Sequence, residues 1–141
     1  MNQATNILVV DDEEVVRMSY LRALSGTSCK VEQVRNGADA LQLMKQRPFD
    51  VILLDQRMPG MDGMSVLKVI KEQWPESEVI MITGYPAVES AKQAVTLGAY
   101  DYLAKPIGPD AVVDAANGAM QHKRWALRRE QTARHSLSNE V

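Results

Sequence analysis

Short apolar runs recur along the chain, and most are cut off by a polar residue. Ile7-Leu8-Val9-Val10 stops at Asp11-Asp12, Val51-Ile52-Leu53-Leu54 at Asp55, Val79-Ile80-Met81-Ile82 at Thr83, and the short Tyr102-Leu103-Ala104 at Lys105. The uniformly apolar, largely β-branched runs fit strands covered on both faces, because neither face meets water. Val31 to Val34 instead alternates apolar with polar, as expected nearer a sheet edge.

Helical spacing fills the intervals. Val15, Met18, Leu21 and Leu24 repeat at helical intervals, and Gly26 reads as a C-cap. Ala40, Leu41 and Met44 mark a second helix ending before Pro48, and Met64, Leu67 and Ile70 a third stopped before Pro75. Ala87 to Leu97 reads as a fourth, ended by Gly98. Pro109 suits the first turn of a fifth, continuing through Val112, Val113, Ala116, Met120 and Leu127. Five strand–helix alternations imply right-handed crossovers and one doubly wound α/β domain with a parallel sheet.

Composition narrows the function classes. The 141 residues fit one domain, with 45% apolar residues for a core and 24% charged residues for a surface. A net charge of −2 gives no global case for nucleic acid or an anionic membrane. Cys29 is the lone cysteine, and with only His122 and His135 no Cys/His metal cluster forms. The start of the chain is short and polar, and no apolar stretch nears bilayer length. A cytoplasmic protein is the expectation.

In an open parallel sheet, ligands bind beyond the carboxyl ends of the strands. Asp11, Asp12, Asp55, Thr83 and Lys105 all fall there. Singly, each has a plainer explanation: an aspartate after a strand is a common turn or N-cap residue, Thr83 before Gly84 can start a turn, and a lone lysine is ordinarily solvated. Together, three carboxylates in one crevice raise each other's pKa values unless a cation sits among them. Mg²⁺ suits few protein oxygens, several waters and a phosphate oxygen better than Ca²⁺ does. Beside it, Asp55 has the makings of a nucleophile toward phosphorus. Lys105 could neutralise a phosphoryl oxygen, and Thr83 could donate to one.

These segments resemble the bacterial response-regulator receiver domain. The matching stretches are Ile7-Leu-Val-Val-Asp-Asp-Glu-Glu14, Val51-Ile-Leu-Leu-Asp-Gln-Arg-Met-Pro-Gly-Met-Asp-Gly63, Met81-Ile-Thr-Gly-Tyr85 and Gly98-Ala-Tyr-Asp-Tyr-Leu-Ala-Lys-Pro106, in order over most of the chain. The resemblance implies the flavodoxin-like fold of the chemotaxis regulator, with strand order 2-1-3-4-5. It implies Asp55 as phosphoacceptor, Asp12 as the direct Mg²⁺ ligand, Asp11 acting mostly through water, and the Arg57 carbonyl as another ligand. Thr83 and Tyr102 would be the switch pair, Tyr102 turning from exposed to inward, with Lys105 on the phosphoryl group and a cis Lys105–Pro106 bond. Implied partners are a sensor histidine kinase or phosphotransfer protein and an output domain or partner protein, without membrane or direct nucleic-acid binding.

Other features read as structural. Glu13 and Glu14 favour the first turn of the opening helix, the Pro59-Gly60 turn and Gly63 serve geometry, and Met58, Met61 and Met64 fit core packing better than a methionine binding surface. Residues 1–122 form the receiver. Residues 123–141, with Lys123, Arg124, Arg128, Arg129 and Arg134, extend the last helix as a solvated end, a linker or a dimerising segment. Trp125, off the Met120–Leu127 stripe, is a candidate for contact with a second copy, and the tail past about Arg134 is expected to fray. An aspartyl-phosphate-forming phosphohydrolase ordinarily needs an acid two residues after its nucleophile, where Arg57 stands. A nucleotide-binding module needs a glycine-rich loop where Asp11 and Asp12 stand. A degenerate receiver that binds partners without phosphorylation is disfavoured by the intact Asp12, Asp55, Thr83 and Lys105. The Thr83-Gly-Tyr-Pro86 and Gly98-Ala-Tyr-Asp-Tyr102 segments look most like those of receivers attached to transcription activators.

Overall fold

Ten elements alternate strictly along the chain: β1 (Asn6–Val10), α1 (Glu14–Leu24), β2 (Lys30–Val34), α2 (Gly37–Gln46), β3 (Val51–Asp55), α3 (Gly63–Gln73), β4 (Glu78–Thr83), α4 (Val88–Thr96), β5 (Asp101–Ala104) and α5 (Pro109–Asn139). They come from a computed structural model that describes residues 4–139, with side chains described as far as Arg134. The strands form one parallel sheet in the order β2-β1-β3-β4-β5. The doubly wound, flavodoxin-like arrangement expected from the sequence is therefore present.

Strand alternation splits the core in two. Ile7, Val9, Val51, Leu53, Ile80 and Ile82 face α1 and α5, packing with Tyr20, Leu24, Val112, Ala116 and Ala119. Leu8, Val10, Ile52, Leu54, Val79 and Met81 face the other side with Met44, Leu67, Ile70 and Ala94. β1, β3 and β4 are covered on both faces and need apolar residues at nearly every position. β2 lies at the edge and keeps its polar alternation. Met58 and Met64 are buried and Met61 packs against them, as core packing requires.

Helix ends follow local chemistry. Asn36 and Asp62 accept from the backbone N–H groups of Asp39 and Ser65 and cap α2 and α3. Gly98 ends α4 at φ +100°, with Gly98 N–H bonded to Val95 O and Ala99 N–H to Ala94 O, the Schellman pattern. Gly26 does not play that part, since it lacks a positive φ. Instead the hydroxyls of Ser25 and Thr27 donate to the Arg22 and Leu24 carbonyls and close α1.

The last helix runs through Leu127 as expected, but its apolar stripe is not buried over that whole length. Among the described residues its buried side chains end at Ala119, and Leu127 is 37% exposed, so the apolar stripe leaves the sheet before Leu127. His122 and Lys123 then tie it to Glu78 (3.2 Å) and Asp50 (2.6 Å). The backbone is helical to Asn139. Good helix formers and a Glu130–Arg134 pair one turn apart favour that propagation. Among the described residues, no helix is long and apolar enough to cross a membrane.

Candidate functional site

Where β1 and β3 end side by side, their register aligns Val10 with Leu54. The residues that follow, Asp11 and Asp55, therefore emerge together at the carboxyl edge. One carboxylate oxygen each from Asp11, Asp12 and Asp55 lie within 4.8 Å of one another. Asp11 and Asp55 are buried and Asp12 is exposed. Three hard oxygens, two held rigidly and one reachable from solvent, fit a small divalent cation that keeps water ligands.

Asp11 is fixed on every side. Its Oδ1 accepts from Glu13 N–H (2.9 Å), its Oδ2 from Lys105 Nζ (2.8 Å), and its main-chain oxygen from Arg17 Nη1 (2.8 Å). Arg17 is braced in turn by Gln33 on β2 (2.8 Å). Lys105 reaches in from the end of β5, just before the cis Lys105–Pro106 bond, and also stands 3.5 Å from Asp55 Oδ1. Asp55 accepts a longer bond from Arg57 N–H (3.4 Å). That loop is pinned where Gly63 N–H donates to Gln56 O (2.8 Å). A Cβ at Gly63 would lie 2.3 Å from Asp55 O, so the loop passes here only without a side chain.

The electrostatics follow from this crowding. Burial pushes the Asp55 carboxyl up from 3.8 to about 6, and the Asp11 charge adds to it; Lys105 and the Arg57 amide pull the other way. Burial by itself would lower Lys105, but the hydrogen bond and charge of Asp11 and the charge of Asp55 outweigh it and raise the ammonium pKa. Lys105 thus acts as the cation of the cluster in this structure.

Thr83 ends β4 fully buried, its hydroxyl oxygen accepting from Tyr85 N–H (3.0 Å). Its hydrogen is not committed to an acceptor among the described residues. Tyr102 departs from the expected exposed starting position. It is half-buried against the α2–α3–α4 core, and its hydroxyl donates to Gln56 Oε1 (2.8 Å). The expectation treated Tyr102 as responding only to space left by Thr83; the acceptor offered by Gln56 already holds it inward.

Three residues here escaped the sequence reading. Gln56 bridges Tyr102 and Ser90 (3.1 Å), and Arg17 anchors Asp11. Tyr20 is buried under the site, with a hydroxyl that has no hydrogen-bond partner among the described residues. Burial first, then the charges of Asp11, Asp55 and Glu13, raises its pKa. Adjacency to Asp55 was the one available signal for Gln56. Across the mouth of the site, the Arg57 guanidinium lies 4.4 Å from the centre of the Tyr85 ring.

Comparison with known proteins shows the family. The family model described as "Response regulator receiver domain" matches residues 7–117. The DNA-binding transcriptional regulator NtrC of Escherichia coli strain K12 is 39% identical over 116 residues, which is 82% of this chain and 25% of that protein. An NtrX-like response regulator of Rickettsia bellii is 36% identical over 110 residues, 77% of this chain and 23% of its own. The chain spans about a quarter of the length of these curated relatives. The crystal structure of the receiver domain of NtrX from Brucella abortus superposes with a TM-score of 0.77 at 34% identity, covering 82% of this chain and 98% of that one.

Proposed function

Since the chain belongs to the response regulator receiver family and is a receiver domain of two-component signalling, we propose that Asp55 is its phosphoryl acceptor and that transfer requires Mg²⁺. The observation that carries this reading is the convergence of Asp11, Asp12 and Asp55 within 4.8 Å, faced by the Lys105 ammonium.

Asp11, Asp12, Asp55 and the main-chain carbonyl of Arg57 are the groups that would hold the ion. Bound there, Mg²⁺ offsets the charge of the carboxylates and of an anionic donor. Asp55 supplies the nucleophile: a carboxylate oxygen bonds to phosphorus, and the bond from phosphorus to the donor's nitrogen or oxygen breaks, its electron pair leaving with the donor. Lys105 already touches both buried carboxylates and can pivot toward a phosphoryl oxygen within the same crevice. Thr83 has a hydroxyl hydrogen to offer another. Tyr102, one strand over and aligned with Met81 on β4, is the other half of the switch pair.

In this reading the chain is a phosphoacceptor that promotes its own phosphorylation and dephosphorylation, not a dedicated enzyme. It works in the cytoplasm, taking the phosphoryl group from a sensor histidine kinase or phosphotransfer protein and controlling an output domain or partner protein. The α5 extension fits a linker toward that output or a helix that pairs with a second copy, and Trp125, 49% exposed, supports either use.

Incubation with acetyl phosphate and Mg²⁺, followed by intact mass, tests the central claim. One added phosphoryl group, lost in Asp55→Asn and on chelation, is the expected result. No gain, or an undiminished gain in Asp55→Asn, sinks it.

A further inference from the structure

We propose that Gln56 is a positioning residue that carries the state of Asp55 to α4, by bridging Tyr102 on β5 to Ser90 on α4. The inference rests on Asp55 being the acceptor, and goes beyond it by naming how its occupancy reaches a surface helix.

Gln56 follows Asp55 directly, and its backbone is held on both sides. Its carbonyl accepts from Gly63 N–H (2.8 Å), and the next residue's N–H bonds to Asp55 Oδ1 (3.4 Å). A new group on Asp55 competes for that oxygen, so the peptides flanking Gln56 are the first backbone to respond. The side chain then has two commitments. Its Oε1 accepts from the Tyr102 hydroxyl (2.8 Å), and its Nε2 donates to Ser90 Oγ (3.1 Å). A primary amide serves both with one rigid plane, one end accepting and the other donating. Any displacement at residue 56 must carry β5 and α4 along or break one of the two bonds.

α4 is the element such a bond can move. It buries one residue, Ala94, and its N-cap Ala87 makes no side-chain cap bond. Ser90 lies in its first turn, so the Gln56 bond tethers the start of the helix. Val88 and Val95 on the same helix are 71% and 64% exposed, so a shift of α4 re-presents apolar surface. A local change at Asp55 thereby biases a weakly anchored element.

The test uses the full chain, with beryllofluoride and Mg²⁺ as the probe and amide spectra as the readout. Gln56→Met keeps side-chain volume but loses both the acceptor and the donor. It should take up a phosphoryl group from acetyl phosphate as the parent does. The shift of α4 amides on adding beryllofluoride should fall about fivefold, the equilibrium effect of losing the one net hydrogen bond that reaches α4. Gln56→Glu still accepts from Tyr102 and from the Ser90 hydroxyl, and should restore most of the response. Ser90→Ala cuts only the α4 arm and should reduce the α4 shift to a similar extent while the Tyr102 ring signals still move. Full α4 shifts in both Gln56→Met and Ser90→Ala, or no α4 shift in a parent that does load, would overturn the inference. A parent that gains no mass would overturn the acceptor reading instead.

Discussion

Lys105 sits nearer to Asp11 than to Asp55: its ammonium is 2.8 Å from Asp11 Oδ2 and 3.5 Å from Asp55 Oδ1. The lysine is therefore bonded to the buried carboxylate beside the proposed acceptor, leaving Asp55 with the weaker contact. Burial and the Asp11 charge also raise the Asp55 pKa. The same geometry holds an acceptor ready without neutralising it by a tight ion pair.

Removing that ammonium should expose the repulsion it offsets. Lys105→Met leaves Asp11, nearly inaccessible to solvent, without its charge partner. Breaking such a buried pair costs about 3–5 kcal/mol, so the metal-free melting temperature should drop well below that of the parent. Millimolar Mg²⁺ should then raise the melting temperature of Lys105→Met by more than it raises the parent's. Equal increments in a thermal-shift titration would mean that the cation and the lysine do not share the cluster.

The raised Asp55 pKa has a stability consequence in chelator, where no ion offsets it. The folded state holds the Asp55 proton more tightly than the unfolded state. The contribution is therefore fully present below about 3.8 and lost as pH rises through about 6. The full difference corresponds to about 3 kcal/mol at neutral pH. Asp55→Asn removes the charge and should be the more stable protein at pH 7.5 in chelator. The gap in melting temperature should shrink toward zero near pH 4. A gap independent of pH would show that desolvation of Asp55 is not its source.

The fold and most of the site were legible in the sequence because both rest on position along strands. Covered strands demand unbroken apolar runs, so β1, β3 and β4 stood out, and the residues ending them marked the crevice. What stayed hidden depends on side chains meeting across elements. Gln56 contacts residues 34 and 46 positions away, and no periodicity encodes that. Tyr102 was assigned an exposed start because its acceptor was invisible. Gly26 looked like a cap by type, yet the hydroxyls of Ser25 and Thr27 close α1 without a left-handed residue.

Gly63 separates fold from function cleanly. A methyl group there would stand 2.3 Å from Asp55 O and 2.7 Å from the Gln56 Cα, both backbone atoms that cannot swing aside. Gly63→Ala should lose about 1–3 kcal/mol through forced backbone displacement. Because the displaced atoms belong to the acceptor and its neighbour, loading from acetyl phosphate should fall more than the stability loss explains. Urea unfolding together with intact mass checks both. Parent-like loading in a destabilised Gly63→Ala would show that Asp55 tolerates a shifted strand end.

The opposite edge of the sheet offers a control that leaves the site untouched. Asp50 accepts from Asn6 N–H through Oδ2 (2.8 Å) and from Lys123 Nζ through Oδ1 (2.6 Å). It thus ties the start of β1 to the point where α5 leaves the sheet. Lys123 is 12% exposed, so losing its partner strands a charge that is mostly out of water. Asp50→Ala should cost about 1–3 kcal/mol, the penalty for leaving such groups unpaired. Asp50→Asn keeps an acceptor for Asn6 and should recover part of it. In Asp50→Ala, hydrogen exchange should quicken in α5 beyond Ala119, where Lys123 has lost its partner and the His122–Glu78 pair is left. Phosphoryl uptake at Asp55 should stay as in the parent, since Asp50 lies before the start of the strand that Asp55 ends. Unchanged exchange in α5 would mean that the extension is held by its own helical bonds and not by this pair.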